Sequence, residues 1–182
     1  MQKQILVTLI LILAPGCSLF FGNIQPTSKK ADSYDVLDLT GMGWQHLASA
    51  SSAKLEEGEE KETNLGSDRS YQSKKTGNTI SINSTCRPST EYNGRKTEEL
   101  TKALLLGITH VNSREEQNIK ISEITALQTT IHGKLSGEPV KIRTVVLKKQ
   151  ECVYDLMYIS RPEKFNTELP TFTQFVSSLR LH

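Results

Sequence analysis

Four histidines, three cysteines and a run of glutamates are the residues of this chain best equipped for chemistry. His46, His110, His132 and His182 stand far apart, whereas short zinc patterns place ligands three to five residues from one another. Cys86 or Cys152 as nucleophile, with His110 or His132 as base, would make a thiol enzyme, because an imidazole activates a nearby thiol. Neither cysteine stands in the local signature of such an enzyme. The serines sit in no Gly-x-Ser-x-Gly elbow and in no strong Ser-x-x-Lys context. No glycine-rich loop is laid out to cradle a phosphate. Five glutamates fall within Glu56–Glu62, without the Asp/Asn spacing of a calcium loop, and read as a solvated, mobile loop. Lys74-Lys75, Arg95-Lys96 and Lys148-Lys149 are dispersed pairs, and 22 basic against 20 acidic residues leave a formal charge of +2. That balance makes no electrostatic case for nucleic acid. No catalytic, cofactor-binding or metal-binding residue is expected, and a secreted or envelope-bound hydrolase or thiol enzyme is the alternative to a binding protein.

Cys17 stands in a different setting. The start amine and Lys3 precede an apolar run, Ile5 to Leu13, which is followed by Ala14-Pro15-Gly16. A positive n-region, a short h-region and a small-residue cleavage site make a secretory signal. As a helix the run spans ~14 Å against a hydrocarbon core of ~30 Å, and Pro15 and Gly16 interrupt any extension. Leu13-Ala14-Pro15-Gly16-Cys17 resembles the lipobox of bacterial lipoproteins. The resemblance implies cleavage before Cys17, a diacylglyceryl group on its thiol and an acyl chain such as palmitate on the new amine. Two or three chains suffice for stable anchoring. With Ser18 rather than Asp after the cysteine, the resemblance implies the outer membrane, with the domain facing the periplasm. Ala14-x-Gly16 also fits an ordinary signal-peptidase site, which would leave a soluble secreted protein.

Once Cys17 is used, Cys86 and Cys152 remain, an even number in an oxidising compartment. Both fall at the ends of expected strands, where they could meet, and a disulfide between them is expected. The alternative is a pair of buried thiols acting as small hydrophobes.

The chain of 182 residues, 36% hydrophobic and 6% aromatic, suits one modest core. Residues 1–16 read as the signal peptide, 17–33 as the attachment cysteine and a polar tether, and 34–182 as one globular domain. Tyr34–Leu39 and Trp44–Leu47 read as short strands, with Trp44 in the core. Tyr71–Lys75 and Thr79–Ser84 flank Thr76-Gly77-Asn78, a hairpin whose Gly and Asn tolerate positive φ. Thr97–Ile108 reads as a helix with Leu100, Ala103, Leu104, Ile108 and Val111 at helical spacing, broadened by Leu105 and Leu106 into a largely covered face. Ala126–Leu135, Val140–Lys148 and Cys152–Ile159 form an antiparallel meander, since their connections are short, with a further short strand at Ile119–Ile124. The last of the three carries apolar groups on both sides, the mark of a central strand. A closing helix starts at Pro170, with proline in its first turn and Phe172, Phe175, Val176 and Leu179 as its apolar stripe.

This order of elements, with Trp44 early and Phe172-x-x-Phe175-Val176 late, resembles the PsbP/Mog1-type fold. It implies an α+β domain in which an antiparallel sheet is packed with helices on its faces. The alternative is a small β-sandwich or lipocalin-like barrel with a C-terminal helix. The function expected is that of a lipid-anchored binding or scaffolding module of the cell envelope. It would be held to the membrane by its anchor, monomeric, free of cofactors, and would contact an envelope protein or small ligand.

Overall fold

The computed structural model describes residues 34–47, 68–86 and 94–182; the signal segment, Cys17, residues 18–33 and the Glu56–Glu62 run lie outside them. The strands are β1 (Tyr34–Asp35), β2 (Trp44–His46), β3 (Arg69–Ser73), β4 (Thr79–Cys86), β5 (Ile108–Ile121), β6 (Ile124–Leu135), β7 (Glu138–Lys149), β8 (Cys152–Ser160) and β9 (Arg180–Leu181). The helices are α1 (Thr97–Leu104) and α2 (Phe165–Ser177). Strands β2-β3-β4-β8-β7-β6-β5 form one sheet in that order, every neighbour antiparallel. Among the described residues the sheet is open, with β2 and β5 at its edges, so it is neither a barrel nor a sandwich of two sheets. The fold is α+β.

Tight turns produce the meander. Residues Ser122, Ser136 and Gln150 take φ of 52°, 52° and 54°, and Gly137 takes 88°. Two-residue hairpins need this left-handed backbone because its twist matches that of the strands. The resulting register pairs Ile121 with Ile124, Leu135 with Glu138 and Lys149 with Cys152. Alternation then sorts the side chains. Ile80 and Ile82 of β4, Val145 and Leu147 of β7, and Tyr154, Leu156 and Tyr158 of β8 face α2, where Phe165, Phe172, Phe175 and Val176 complete the core. Tyr158 stacks on Phe172 with ring centroids 5.6 Å apart. Fully burying one such side chain is worth about 1.5–3 kcal/mol, so this face holds the fold together. Trp44 is buried in the same core.

The opposite face is thinner. Leu105, Ile131 and Ile142 form a small cluster there, bordered by Ile108, Val140, Met157 and Ile159, under α1, which lies over β6 and β7.

Four expectations change. The first helix ends at Leu104, and Ile108 and Val111 belong to β5. Its face is not largely covered: Leu106 is 82% exposed and Val111 51%, and Thr101 is the helix's buried residue. The expected short strand at Ile119–Ile124 is the far end of a 14-residue strand, followed by a turn at Ser122-Glu123; charged residues along an exposed edge had masked it. The first strand stops at Asp35, where it pairs with β9, and Val36 and Leu39 are buried without belonging to a strand. The last helix starts at Phe165 after a 3-10 turn at Pro162–Lys164, which puts Pro170 inside it.

One glycine has a packing reason. A Cβ on Gly133 would lie 2.8 Å from both Ile108 Cγ2 and the Thr109 carbonyl oxygen, beside the register shift between Thr109 and Ser113. The bulge in β5 therefore requires a bare backbone in β6.

The strand directions give the molecule two ends. One holds the β3–β4 turn, the β6–β7 turn and the β8–α2 connection. The other holds Cys86 and Cys152, the β5–β6 and β7–β8 turns, and the β1–β9 pair. At this second end Lys149 Nζ donates to the Leu181 carbonyl at 2.8 Å, and His182 meets Asp35 at 2.8 Å.

Candidate functional site

The first end carries an open cleft of about 670 Å³. Its walls are Thr76–Thr79 of the β3–β4 hairpin, Glu138–Val140 at the start of β7, and Ile159–Arg161, Glu163 and Lys164 between β8 and α2. Each wall is a place where the chain reverses. Gly77, with φ 77°, closes the hairpin, and Pro162 ends the extended backbone of Arg161 and opens the 3-10 turn.

Thr76, Asn78 and Ser160 of the lining belong to a largely buried polar network that continues beneath the cleft. Ser160 Oγ donates to Asn78 Oδ1 at 2.8 Å. Asn78 Nδ2 donates to Tyr158 Oη at 2.9 Å and to Glu168 Oε2 at 2.8 Å. Tyr158 Oη donates to the Phe165 carbonyl at 2.8 Å. Ser73 Oγ and Thr76 Oγ1 donate to the two oxygens of the Glu168 carboxylate. These bonds tie α2 to a hairpin some ninety residues earlier in the chain. Burial raises the Tyr158 hydroxyl above its ordinary value of 10.0, and the Glu168 carboxylate adds to the shift. The phenol therefore stays protonated and keeps donating.

The network is satisfied from within, so the cleft presents a finished floor with a rim of mixed charge: Glu138 and Glu163 against Arg161 and Lys164, with Lys164 Nζ also reaching the Thr76 carbonyl at 3.3 Å. No histidine lines it, so the Ser160 hydroxyl has no imidazole in the cleft to activate it. Such a surface is suited to docking a partner or ligand by shape and rim contacts.

The expected disulfide forms: Cys86 and Cys152 are directly opposed in β4 and β8 and joined by an S–S bond, their Cα atoms 4.0 Å apart. Neither is then a thiol nucleophile, and they lie at the end away from the cleft. Cys17 lies outside the described residues. The histidines are not brought together. His46 packs edge-on against Tyr71 at the β2 edge, His110 is exposed in the β5 bulge, His132 is opposite Ser113 in mid-sheet, and His182 pairs with Asp35. Among the described residues no three of His, Cys, Asp and Glu form a metal-holding group, and no helix is long and apolar enough to cross a membrane. Sequence reasoning missed Asn78, Tyr158, Ser160 and Glu168 as a unit; Thr76-Gly77-Asn78 signalled a turn, and nothing local tied that turn to a glutamate in α2.

No protein-family model and no curated protein matches the chain. Solved structures do share its fold. The solution structure of cyanobacterial PsbP (CyanoP) from Synechocystis sp. PCC 6803 aligns at 11% identity and a TM-score of 0.54, covering 88% of this chain and 96% of that one. The crystal structure of LpqN, involved in cell envelope biogenesis of Mycobacterium tuberculosis, aligns at 10% identity and a TM-score of 0.52, covering 87% of this chain and 86% of that one. At such identities the likeness concerns the fold alone, and the fold is PsbP-like.

Proposed function

We propose that this protein is a lipid-anchored module of the cell envelope that binds a partner through the cleft end of its sheet. The observation that carries the reading is the placement of Tyr34. It pairs with Leu181 in β9 and packs edge-on against Tyr154 at 6.0 Å, so the chain enters the domain at the end opposite the cleft. Acylated at Cys17, the protein would hang from the membrane by that end, and the cleft would face away from the bilayer. The outer membrane and a periplasmic orientation follow from the lipobox resemblance and Ser18. The involvement of LpqN in cell envelope biogenesis is compatible with this reading. The satisfied network and the bonded cysteines favour binding over hydrolysis.

Photo-crosslinking in cells tests the orientation. A crosslinking residue at Arg161, on the cleft rim, is expected to capture a discrete protein partner, while one at Gln150, in the β7–β8 turn, is expected to capture none. Capture from Gln150 alone would overturn the reading.

A further inference from the structure

Beside the start of α2, the cleft-end part of its sheet face carries half-buried cations of β7. Lys141 and Arg143 are alternate residues of β7 and point to the same side. Lys141 Nζ lies 4.6 Å from the centroid of the Phe165 ring and Arg143 Cζ 5.7 Å from it. His132 in β6 is directly opposite Lys141, and Thr130 directly opposite Arg143. Arg143 is anchored side-on: its Nε donates to Thr130 Oγ1 at 2.8 Å. Among the described residues its two Nη groups have no acceptor, and no carboxylate lies within ion-pair distance of Arg143 or Lys141. Glu115, opposite Thr130 in β5, is the carboxylate whose field reaches Arg143, and it forms no pair with it. Partial burial lowers the affinity of Arg143 for its proton, and the Glu115 carboxylate offsets part of that effect without pairing.

Two cations flanking one aromatic ring repel each other, and cation–π attraction compensates only in part. An oriented guanidinium fork with free Nη donors, an ammonium beside it and an imidazole in reach match the tetrahedral oxygens of a phosphate. We infer that Lys141, Arg143 and His132 form a binding site for a phosphate-type oxyanion on this part of the sheet, carried by a soluble ligand or by a lipid headgroup.

Amide NMR on the full mature protein in nanodiscs tests this. Inorganic phosphate is the soluble probe; replacing phosphatidylcholine by phosphatidylglycerol in the disc is the headgroup probe. Saturable shifts of the Thr130, Lys141 and Arg143 amides with phosphate, absent with chloride at equal ionic strength, identify a soluble ligand; the same shifts on changing the lipid identify a headgroup. In Lys141→Gln, which removes no protein hydrogen bond, and in Arg143→Gln, the apparent Kd should rise at least about tenfold for each. Lys120→Gln on the other face should leave it unchanged. Shifts with neither probe, or an unchanged Kd in both Lys141→Gln and Arg143→Gln, would overturn the site.

Discussion

Asn78 carries a large polar load for one side chain. It is 2% exposed, and its amide joins Ser160, Tyr158 and Glu168. Asn78→Ala would remove all three bonds, while Ser160 keeps the Arg161 carbonyl, Tyr158 the Phe165 carbonyl and Glu168 its two hydroxyl donors; each lost bond costs about 0.5–1.5 kcal/mol. A loss of roughly 2–4 kcal/mol in urea denaturation is expected, with a local change at the cleft; a loss below about 0.5 kcal/mol would mean that water replaces the amide without penalty. The buried phenols set the alkaline behaviour. The hydroxyls of Tyr34, Tyr71 and Tyr158 are all held above their ordinary 10.0 by burial, with the Asp68 carboxylate adding to the rise at Tyr34. A raised folded-state pKa means that the folded chain holds these protons more tightly than the unfolded one. Their contribution is therefore complete below the unfolded value and declines as pH rises above it. Stability should be flat toward that value and fall beyond it, with tyrosinate absorbance appearing together with unfolding. Tyrosinate absorbance from all five tyrosines in a still-folded chain would contradict this.

At the scale of elements, β4 and β8 are held twice, by an eight-pair ladder from Thr79–Ile159 to Cys86–Cys152 and by the disulfide at its end. The bridge spans 66 residues of sequence, a loop whose closure restricts the unfolded chain by ~4 kcal/mol in the chain-entropy model. The double variant Cys86→Ser/Cys152→Ser should lose stability of about that order while keeping the wild-type amide spectrum away from the bridge; a collapse of β4–β8 pairing would show that the ladder alone does not hold. The meander, the hairpin at Gly77, the buried Trp44 and the Phe172–Leu179 stripe were legible in the sequence because each is a local pattern with a period or a turn residue. The disulfide was legible through parity and strand ends. The rest depended on distant partners. Helix α1 and β5 were confused because Leu105, Leu106, Ile108 and Val111 keep helical spacing beyond Leu104, where the helix ends. The α2 start was missed because a proline after Glu168 and Leu169 reads as a first turn, although the core buries Phe165. The polar network joins residues 73–78 to 158–168, and no window of sequence contains both.

For the whole molecule, the arrangement has a direction: the chain enters beside the disulfide, and the cleft and the cationic strip near Phe165 lie toward or beyond mid-sheet from that entry. Direction matters only if the entry is tied to a membrane, so the lipid on Cys17 is the claim on which the functional reading rests. The intact mass of the protein extracted from membranes tests it directly. A polypeptide beginning at Cys17 and heavier than its sequence by a diacylglyceryl group, with or without a further acyl chain, is expected. A mass equal to the bare polypeptide from any start site would contradict it.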